Sequence, residues 1–340
     1  MSESDYPDEP VEMFFDQMGH LSDNTLDNIR TVLSQFSEWS DRENLLNATG
    51  SEVRDFLKHY NEQGYANSTI RQKHMNIRTF YTAFQEGKKE KHTKLFCNPL
   101  DENPAAFATE LCLDGNDNST KADKQKYVSD NTKGVTYLNP SEVRDLMDAV
   151  PKPKIRNTLI VKMLVQTGAR VGELCSLKCG DIKRDEGVVV IDDSKNNGDR
   201  PVPYQNLEPE LTMWLDGGHR DRFNAADETD YLFIGQQSLL NDEPHITERW
   251  VGEMIREAAY DAGIQEEWGE SVNGNTQRKV TPHALRSTYC VQVFKQTDKS
   301  VPTVMKMTGH EQLSTVQKYA NVARDDAVDE MKDLGIDFGT

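Results

Sequence analysis

Polar and apolar positions in the first hundred residues alternate with the period of amphipathic helices. Two stretches repeat their apolar residues three or four positions apart: Leu26, Ile29, Leu33 and Phe36, then Val53, Phe56, Leu57 and Tyr60. The capping residues Ser22/Asn24 and Ser51 precede them. A third helix is expected from about Ser68, with Ile70, Ile77, Tyr81 and Phe84 on one side. We predict a helical domain over 13–105, after a disordered acidic segment, 1–12.

The pattern changes after this domain. Residues 106–136 mix Asp, Asn, Gly, Ser and Lys, which predicts a linker. A second domain is expected over 137–325, followed by an acidic tail, 326–340. Its first helix should be capped by the segment Leu138-Asn-Pro-Ser141 and run to about Val150, and an apolar helix over 157–166 should end at Thr167-Gly168. Further helical patterns cover 247–262, 283–296, 301–308 and 312–322, and an acidic helix is expected from Asp325 to Leu334.

Strand patterns occur only in the second domain. Val188–Ile191 and Pro201–Tyr204 flank a turn that contains Asn196-Asn-Gly198, which indicates a β-hairpin. Tyr231–Ile234 is a candidate third strand. The expected fold is therefore mainly α with a small antiparallel β-sheet, divided into a helical domain and an α+β domain.

Composition adds an acidic surface to this picture. The 340 residues carry a formal net charge of −18, and no apolar run approaches the ~20 residues that cross a bilayer. We expect a cytoplasmic protein with no membrane partner. Excess carboxylates keep proteins soluble in concentrated salt, so a halophilic source is a hypothesis. Among five cysteines, Cys175 and Cys179 could share a helix face, but free thiols are expected because no zinc-ligand spacing is present.

Four short segments of the second domain contain residues suited to phosphate chemistry. They are Thr167-Gly-Ala-Arg-Val-Gly-Glu-Leu174, Ser194-Lys-Asn-Asn-Gly-Asp-Arg-Pro-Val-Pro203, His283-Ala-Leu-Arg286, and Gly309-His310 followed by Tyr319. Each segment alone has an ordinary explanation, such as a solvated arginine or lysine, a capping histidine or a core tyrosine. Their order and intervals carry the signal.

Together the segments resemble the catalytic domain of the tyrosine recombinase (phage integrase) family. That family has a TGxRxxEL box, a lysine in a β-hairpin before an R-x-V-P run, an HxLR box, and a GH box ahead of a tyrosine. The likeness covers about 137–325 and extends more loosely to 13–100, as a helical, SAM-like core-binding domain. The resemblance implies six catalytic residues: Arg170, Lys195, His283, Arg286, His310 and Tyr319.

The chemistry of these residue types agrees with the implied roles. The arginine guanidinium groups match phosphate oxygens, and His310 adds a donor. Tyr319, with an ordinary pKa near about 10, would attack the phosphorus after proton exchange with His283. Lys195 resembles the family's general acid, and Glu173 is expected to orient the cluster. No metal or other cofactor is expected, because the cations supply the electrostatic stabilisation.

The resemblance implies a site-specific DNA recombinase or integrase with a 3′-phosphotyrosine intermediate and without ATP. The implied partner is double-stranded DNA at a specific recombination site, bound by a homotetramer on paired sites. Two sets of basic residues are candidate DNA contacts: Arg71, Lys73 and Arg78, and the cluster Lys88, Lys89, Lys91 and Lys94. In the family the C-terminal segment packs on a neighbouring protomer. A solvated helix is the alternative for Asp325–Leu334.

Two other functions stay open at this point. A type IB topoisomerase shares the tyrosine chemistry but only relaxes one duplex, and a non-catalytic DNA-binding regulator would have lost catalytic residues. Ser287 departs from the family, many members of which carry a second histidine there. An additional N-terminal DNA-binding domain is not expected before residue 13, which favours a simple target site.

Overall fold

The computed structural model describes residues 10–19, 21, 23–84, 103–106, 135–192, 198–235, 244–270, 276–296, 300–310 and 312–333. The chain forms two compact units, Met1–Tyr127 and Val128–Thr340. Within the described residues, no helix has both the length and the apolar character needed to span a membrane.

The described part of the first unit is helical, as the apolar periodicity predicts. Its helices are α1 (Pro10–Gln17), α2 (Asp23–Ser40), α3 (Gly50–Glu62) and α4 (Asn67–Ala83). The predicted apolar faces form the core: Ile29, Leu33 and Phe36 of α2 are at most 1% exposed. Helix α3 begins after Thr49 rather than Ser51, because Thr49 and Glu52 form a reciprocal capping box.

The prediction of disorder over 1–12 is wrong for its last residues. Helix α1 starts at Pro10. Proline is accommodated in the first turn of a helix, because a backbone N–H there would have no intrahelical acceptor. Phe14 of α1 is fully buried, and its ring meets the Phe80 ring edge-on at 5.5 Å between centroids. Packing of this aromatic residue on α4 therefore orders a segment whose composition suggests disorder.

The second unit contains most of the remaining helices. They are α5 (Pro140–Ala149), α6 (Lys154–Thr167), α7 (Val171–Ser176), α8 (Glu208–Leu211), α9 (Glu248–Asp261), α10 (Pro282–Gln296), α11 (Val301–Thr308) and α12 (Leu313–Asp333). Asn139 caps α5 as predicted, with Glu142 completing the capping box. Helix α12 is continuous to Asp333. It therefore joins the helical pattern predicted over 312–322 and most of the acidic helix predicted from Asp325 to Leu334.

Two small antiparallel sheets accompany these helices. Strands β1 (Ile182–Lys183), β2 (Val188–Ile191) and β3 (Arg200–Pro203) form the first sheet in that order, and β4 (Glu267–Glu270) pairs with β5 (Thr276–Arg278) in the second. The predicted hairpin is thus confirmed, with Ile191 opposite Arg200 next to the connecting loop. The predicted strand Tyr231–Ile234 is wrong: it makes only two isolated bridges, to Lys178 and His245.

Helix α10 lies in the middle of the second core. It packs against α6 and α12, and its Leu285, Cys290 and Val291 are fully buried. Cys175 and Cys179 do not share a helix, because α7 ends at Ser176. The central position of α10 fixes the polar residues of its first turns relative to the ends of the surrounding helices.

Candidate active site

Arg170 is held at the junction of α6 and α7. Helix α6 ends at Gly168 in the left-handed conformation (φ 61°), and a Cβ there would lie 2.3 Å from Cδ1 of Tyr289. Glycine is therefore required at this turn on both steric and backbone grounds. Two residues later Arg170 caps α7, and its side chain is 44% exposed. This guanidinium is consequently open to an incoming anion.

Glu173 orients Arg170 as the sequence interpretation expected. Its Oε2 accepts a hydrogen bond from the Arg170 backbone N–H at 2.7 Å, and its Oε1 accepts one from Nη1 of the same residue at 2.7 Å. Arg170 Nη2 donates to the Gly309 carbonyl at 2.6 Å. The guanidinium is therefore fixed to both α7 and the turn after α11.

Arg286 lies in the interior of the same cluster. It is 3% exposed, and it donates from Nη1 to the Gly168 carbonyl at 2.6 Å and from Nη2 to the Thr308 carbonyl at 2.5 Å. Burial lowers its pKa, and the nearby Arg170 guanidinium lowers it further. An anion at this place would therefore stabilise a buried cation whose shortest hydrogen bonds go to backbone carbonyls.

His310 follows the left-handed Gly309 (φ 62°) at the end of α11. Its Nδ1 lies 2.6 Å from Thr308 Oγ1, and its Nε2 lies 3.3 Å from Nη2 of Arg286. Burial lowers the pKa of His310 to about 3, with Arg286 and Arg170 contributing. The imidazole is therefore neutral at physiological pH and offers one N–H donor and one acceptor.

Tyr319 lies beside this cluster, on α12. The residue is 4% exposed, and its ring centroid is 5.7 Å from that of His310. Burial raises the pKa of the hydroxyl, whereas a hydrogen bond from Ser287 and the charge of Arg286 lower it. Burial dominates, so the hydroxyl is protonated at neutral pH. Ser287 was not among the residues selected from the sequence.

His283 lies in the first turn of α10. It shares a cavity of about 320 Å³ with Tyr319, and the cavity is also lined by Ser287 and Lys318. Burial and, next, the charge of Arg286 lower the pKa of His283. The ring is therefore neutral at physiological pH and can accept a proton. Helix α10 supplies His283, Arg286 and Ser287, so one helix carries three groups of this region.

Lys195 lies outside the described residues, but the strands on either side of its loop, β2 and β3, are described. Arg200, at the start of β3, donates from Nη2 to Glu173 Oε2 at 2.5 Å and from Nη1 to the Met307 carbonyl at 2.8 Å. The sequence places Arg200 in the R-x-V-P run, yet its contact with Glu173 could not be read from a local pattern.

The candidate DNA-contacting residues of α4 have different surroundings. Arg71 is exposed and Arg78 is half-buried. The Lys73 ammonium donates to Gln35 Oε1 at 2.7 Å and lies 4.2 Å from the centre of the Tyr60 ring. His74, between these residues in sequence, is buried, and a ring nitrogen lies 2.9 Å from the Ala105 carbonyl oxygen. The cluster Lys88–Lys94 lies outside the described residues.

The arrangement as a whole is a cationic, partly buried anion site next to a tyrosine. Within the described ranges, no three His, Cys, Asp or Glu side chains converge as metal ligands. The described polar groups are instead guanidinium and imidazole donors around one carboxylate. Such donors bind a phosphate and stabilise the charge that develops on its oxygens when a nucleophile attacks.

Comparison with known proteins gives tyrosine recombinases as relatives. XerA of Pyrococcus furiosus is 32% identical over 186 residues, which cover 54% of this chain and 57% of that relative. XerC of Anoxybacillus flavithermus is 24% identical over 317 residues, 90% of this chain and 89% of the relative. The XerA match therefore spans little more than half the length of that protein.

Solved structures share the fold at lower sequence identity. The XerH site-specific recombinase bound to a palindromic difH substrate superposes with a TM-score of 0.62 at 18% identity, covering 90% of this chain and 78% of XerH. The Tn1549 transposon integrase gives a TM-score of 0.59 at 18% identity, covering 96% and 99%.

Family models account for both units. The phage integrase N-terminal SAM-like domain matches residues 13–89, and the phage integrase family matches residues 136–325, more than half of the chain. The second match contains every residue of the cluster described above. The chain therefore belongs to the phage integrase family.

Proposed function

We propose that this chain is a site-specific DNA recombinase that cleaves and rejoins duplex DNA through Tyr319. One observation carries the proposal: Arg170, Arg286 and His310 form a continuous, donor-rich cluster, and the buried Tyr319 ring lies 5.7 Å from the His310 ring. The Tn1549 transposon integrase structure, which is a complex with transposon right end DNA, supports DNA as the partner.

In the proposed cleavage step, the Tyr319 oxygen bonds to the scissile phosphorus and its proton passes to neutral His283. The bond between phosphorus and the 5′ oxygen breaks, and Lys195 protonates the leaving oxygen. Arg170 and Arg286 bind the non-bridging oxygens, and His310 donates a further hydrogen bond. Their effect is largest in the transition state, where the phosphate carries most charge. The guanidinium groups supply the charge that a metal ion supplies in other phosphoryl-transfer sites.

The 3′-phosphotyrosine preserves the energy of the broken phosphodiester. A 5′-hydroxyl from a second strand attacks it, displaces Tyr319 and reforms a phosphodiester, so strand exchange needs no ATP. We propose that four protomers on two paired DNA sites perform the exchange. The proposed location is the cytoplasm, and the acidic composition favours a salt-rich one.

A covalent-trapping experiment tests the function. The protein is incubated with a library of nicked duplexes that carry randomised inverted half-sites. Cleavage beside the nick releases a short strand, which prevents rejoining. We expect an adduct that survives denaturing electrophoresis, because the tyrosyl phosphate bond is covalent. Tyr319→Phe should lose the adduct and keep DNA binding.

Tyr289→Phe is the matched control, because Tyr289 is also a buried tyrosine of the second unit, at 7% exposure. It should retain the adduct. An adduct that persists in Tyr319→Phe would contradict the proposal. Relaxation of plasmids that lack a selected site, without recombinant products, would instead support a type IB topoisomerase. DNA binding without any adduct would support a non-catalytic regulator.

A further inference from the structure

Arg200 occupies a buried position where the loop of the β2–β3 hairpin meets β3. It is the first residue of β3 and lies opposite Ile191, the last residue of β2. The segment between these two residues contains Lys195. The side chain of Arg200 is 9% exposed, so it is directed into the unit rather than towards solvent. A cation at such a place needs specific partners, because burial of an unpaired charge is strongly unfavourable.

Its partners come from two other segments of the candidate site. Nη2 donates to Glu173 Oε2 at 2.5 Å, and Nη1 donates to the Met307 carbonyl at 2.8 Å. Glu173 belongs to α7 and holds Arg170, whereas Met307 lies three residues before His310. Arg200 therefore connects the loop end of the hairpin to both segments that carry phosphate-binding groups.

Glu173 is shared among cations. Its Oε1 pairs with Arg170 at 2.7 Å, and its Oε2 pairs with Arg200 at 2.5 Å and lies 4.0 Å from Arg286. One carboxylate does not neutralise three guanidinium groups, so the cluster retains positive charge for a phosphate. Among the described residues, none accepts a hydrogen bond from the buried Nε of Arg200. The two terminal nitrogens therefore fix the orientation of its guanidinium.

We infer that Arg200 is a positioning residue that sets the Lys195 hairpin against the phosphate-binding cluster; this inference rests on the proposed function. Arg200 acts through the placement of Lys195 and does not touch DNA in this role. The two hydrogen bonds of Arg200, to Glu173 and to the Met307 carbonyl, fix the start of β3. They therefore restrict where the loop before β3 can place Lys195. Misplacement of a catalytic group by about 1 Å can slow a reaction by about 10²-fold.

The leaving group of the substrate provides the test. A 5′-bridging phosphorothiolate replaces the leaving oxygen by sulfur, and the thiolate departs without a proton because thiols have a pKa near about 8.5. The Tyr319 oxygen bonds to phosphorus, the phosphorus–sulfur bond breaks, and the Tyr319 proton still passes to His283. Only the protonation that is assigned to Lys195 becomes unnecessary.

Cleavage rates are measured for wild type, Arg200→Ala, Arg200→Lys and Lys195→Ala on both substrates. With the ordinary phosphodiester, Arg200→Ala should be about 10²-fold slower, the effect of losing the position of a catalytic group. With the phosphorothiolate, Arg200→Ala and Lys195→Ala should both return to the wild-type rate. Glu173→Gln disturbs Arg170 directly, so its loss should remain on both substrates.

Thermal unfolding is measured for each variant to establish that it is folded. Should Arg200→Ala fail to fold, Arg200→Lys carries the test, because it retains a cation but cannot bridge both partners. An Arg200 variant that cleaves the ordinary substrate normally, or one equally slow on both substrates, overturns the inference. If the wild-type protein forms an adduct with neither substrate, the proposed function itself is overturned.

Discussion

Arg286 is the arginine of the cluster whose geometry is most constrained. Its two terminal nitrogens serve the Gly168 and Thr308 carbonyls, and burial leaves little room for another arrangement. We expect Arg286→Lys to slow covalent cleavage by about 10²–10³-fold, because an ammonium cannot replace a fixed fork of donors in the transition state. Rates of adduct formation measure this effect.

Arg249→Lys is the control for that substitution. Arg249 belongs to α9, its side chain is 88% exposed, and its ion pair with Glu253 is a surface pair. Cleavage by this variant should match wild type. Equal rates for Arg286→Lys and wild type, with both proteins folded, would contradict the placement of Arg286 at the phosphate.

His310 should make stability depend on pH. Its folded-state pKa of about 3 lies below the ordinary value near about 6.5, so the unfolded chain binds the proton more readily. The contribution is complete above about pH 6.5 and is lost as the pH falls towards 3. Its slope is at most about 1.4 kcal/mol per pH unit. Urea unfolding of wild type and His310→Gln between these pH values measures the difference.

His219→Gln is the matched control, because His219 lines a different cavity of the same unit. His310→Gln should show a shallower decline in acid than either wild type or His219→Gln. Identical slopes for His310→Gln and wild type would show that His310 is not held neutral. Other titrating groups also reduce stability in acid. Their effect is the same in all three proteins, so it cancels when the free energies of unfolding are compared.

The site residues named from the sequence were found because they are locally marked. Gly168 and Gly309 precede Arg170 and His310 at helix ends, and such turns have recognisable residue types. Arg200 was noted only as part of the R-x-V-P run and Ser287 only as a departure from the family, because their contacts depend on distant partners. Arg200 bonds a carbonyl 107 positions away, and Ser287 meets Tyr319 on another helix. No local pattern reports such contacts.

At the scale of elements, the turn between α6 and α7 controls the site. Gly168→Ala should destabilise the fold by about 1–2 kcal/mol through the left-handed backbone alone. Contact of the new Cβ with Tyr289 adds to this loss. The carbonyl of Gly168 also holds Arg286, so cleavage should fall together with stability. Urea unfolding and adduct formation measure the two effects.

Gly252→Ala gives the opposite expectation in the same unit. Gly252 lies inside α9, and an added Cβ would meet nothing within 4 Å. Alanine should stabilise the helix by about 0.5–1 kcal/mol, because glycine loses more backbone freedom on folding. A Gly168→Ala protein as stable as Gly252→Ala would show that the turn is less constrained than described.

Elements with strong periodicity or turn chemistry could be predicted, and others could not. The β2–β3 hairpin follows from two short strand patterns around an Asn-Gly turn. Strands β4 and β5 are polar, with no apolar alternation, so nothing in the sequence marks them. Tyr231–Ile234 has the apolar pattern of a strand, but its neighbours offer only single bridges. Strand formation depends on a partner that periodicity does not reveal.

For the whole molecule, the net charge of −18 should make stability depend on salt. Like charges on a folded surface repel, and the screening length falls from about 10 Å at 0.1 M to about 3 Å at 1 M salt. We therefore expect the thermal unfolding midpoint to rise from low to molar KCl. A midpoint that is highest at low salt, with activity lost at molar salt, would count against a halophilic source.

DNA affinity should respond to salt in the opposite direction. A protein that binds several phosphates releases counterions, so binding should weaken by about 10³-fold or more between 50 and 200 mM salt. Titration of fluorescent duplexes at several KCl concentrations measures the slope. Exposed Arg71→Ala should make the slope shallower, whereas Arg249→Ala should leave it unchanged. A binding constant independent of salt would contradict extensive phosphate contacts.

The most direct measurement identifies the residue that carries the DNA. Trypsin cleaves after Lys318 and Arg324, so Tyr319 lies in a six-residue peptide, 319–324. The trapped adduct is digested with nuclease and trypsin and then sequenced by mass spectrometry. We expect the remaining nucleotide on Tyr319 of this peptide. A nucleotide attached to any other side chain, with peptide 319–324 unmodified, would contradict the assignment of Tyr319 as the nucleophile.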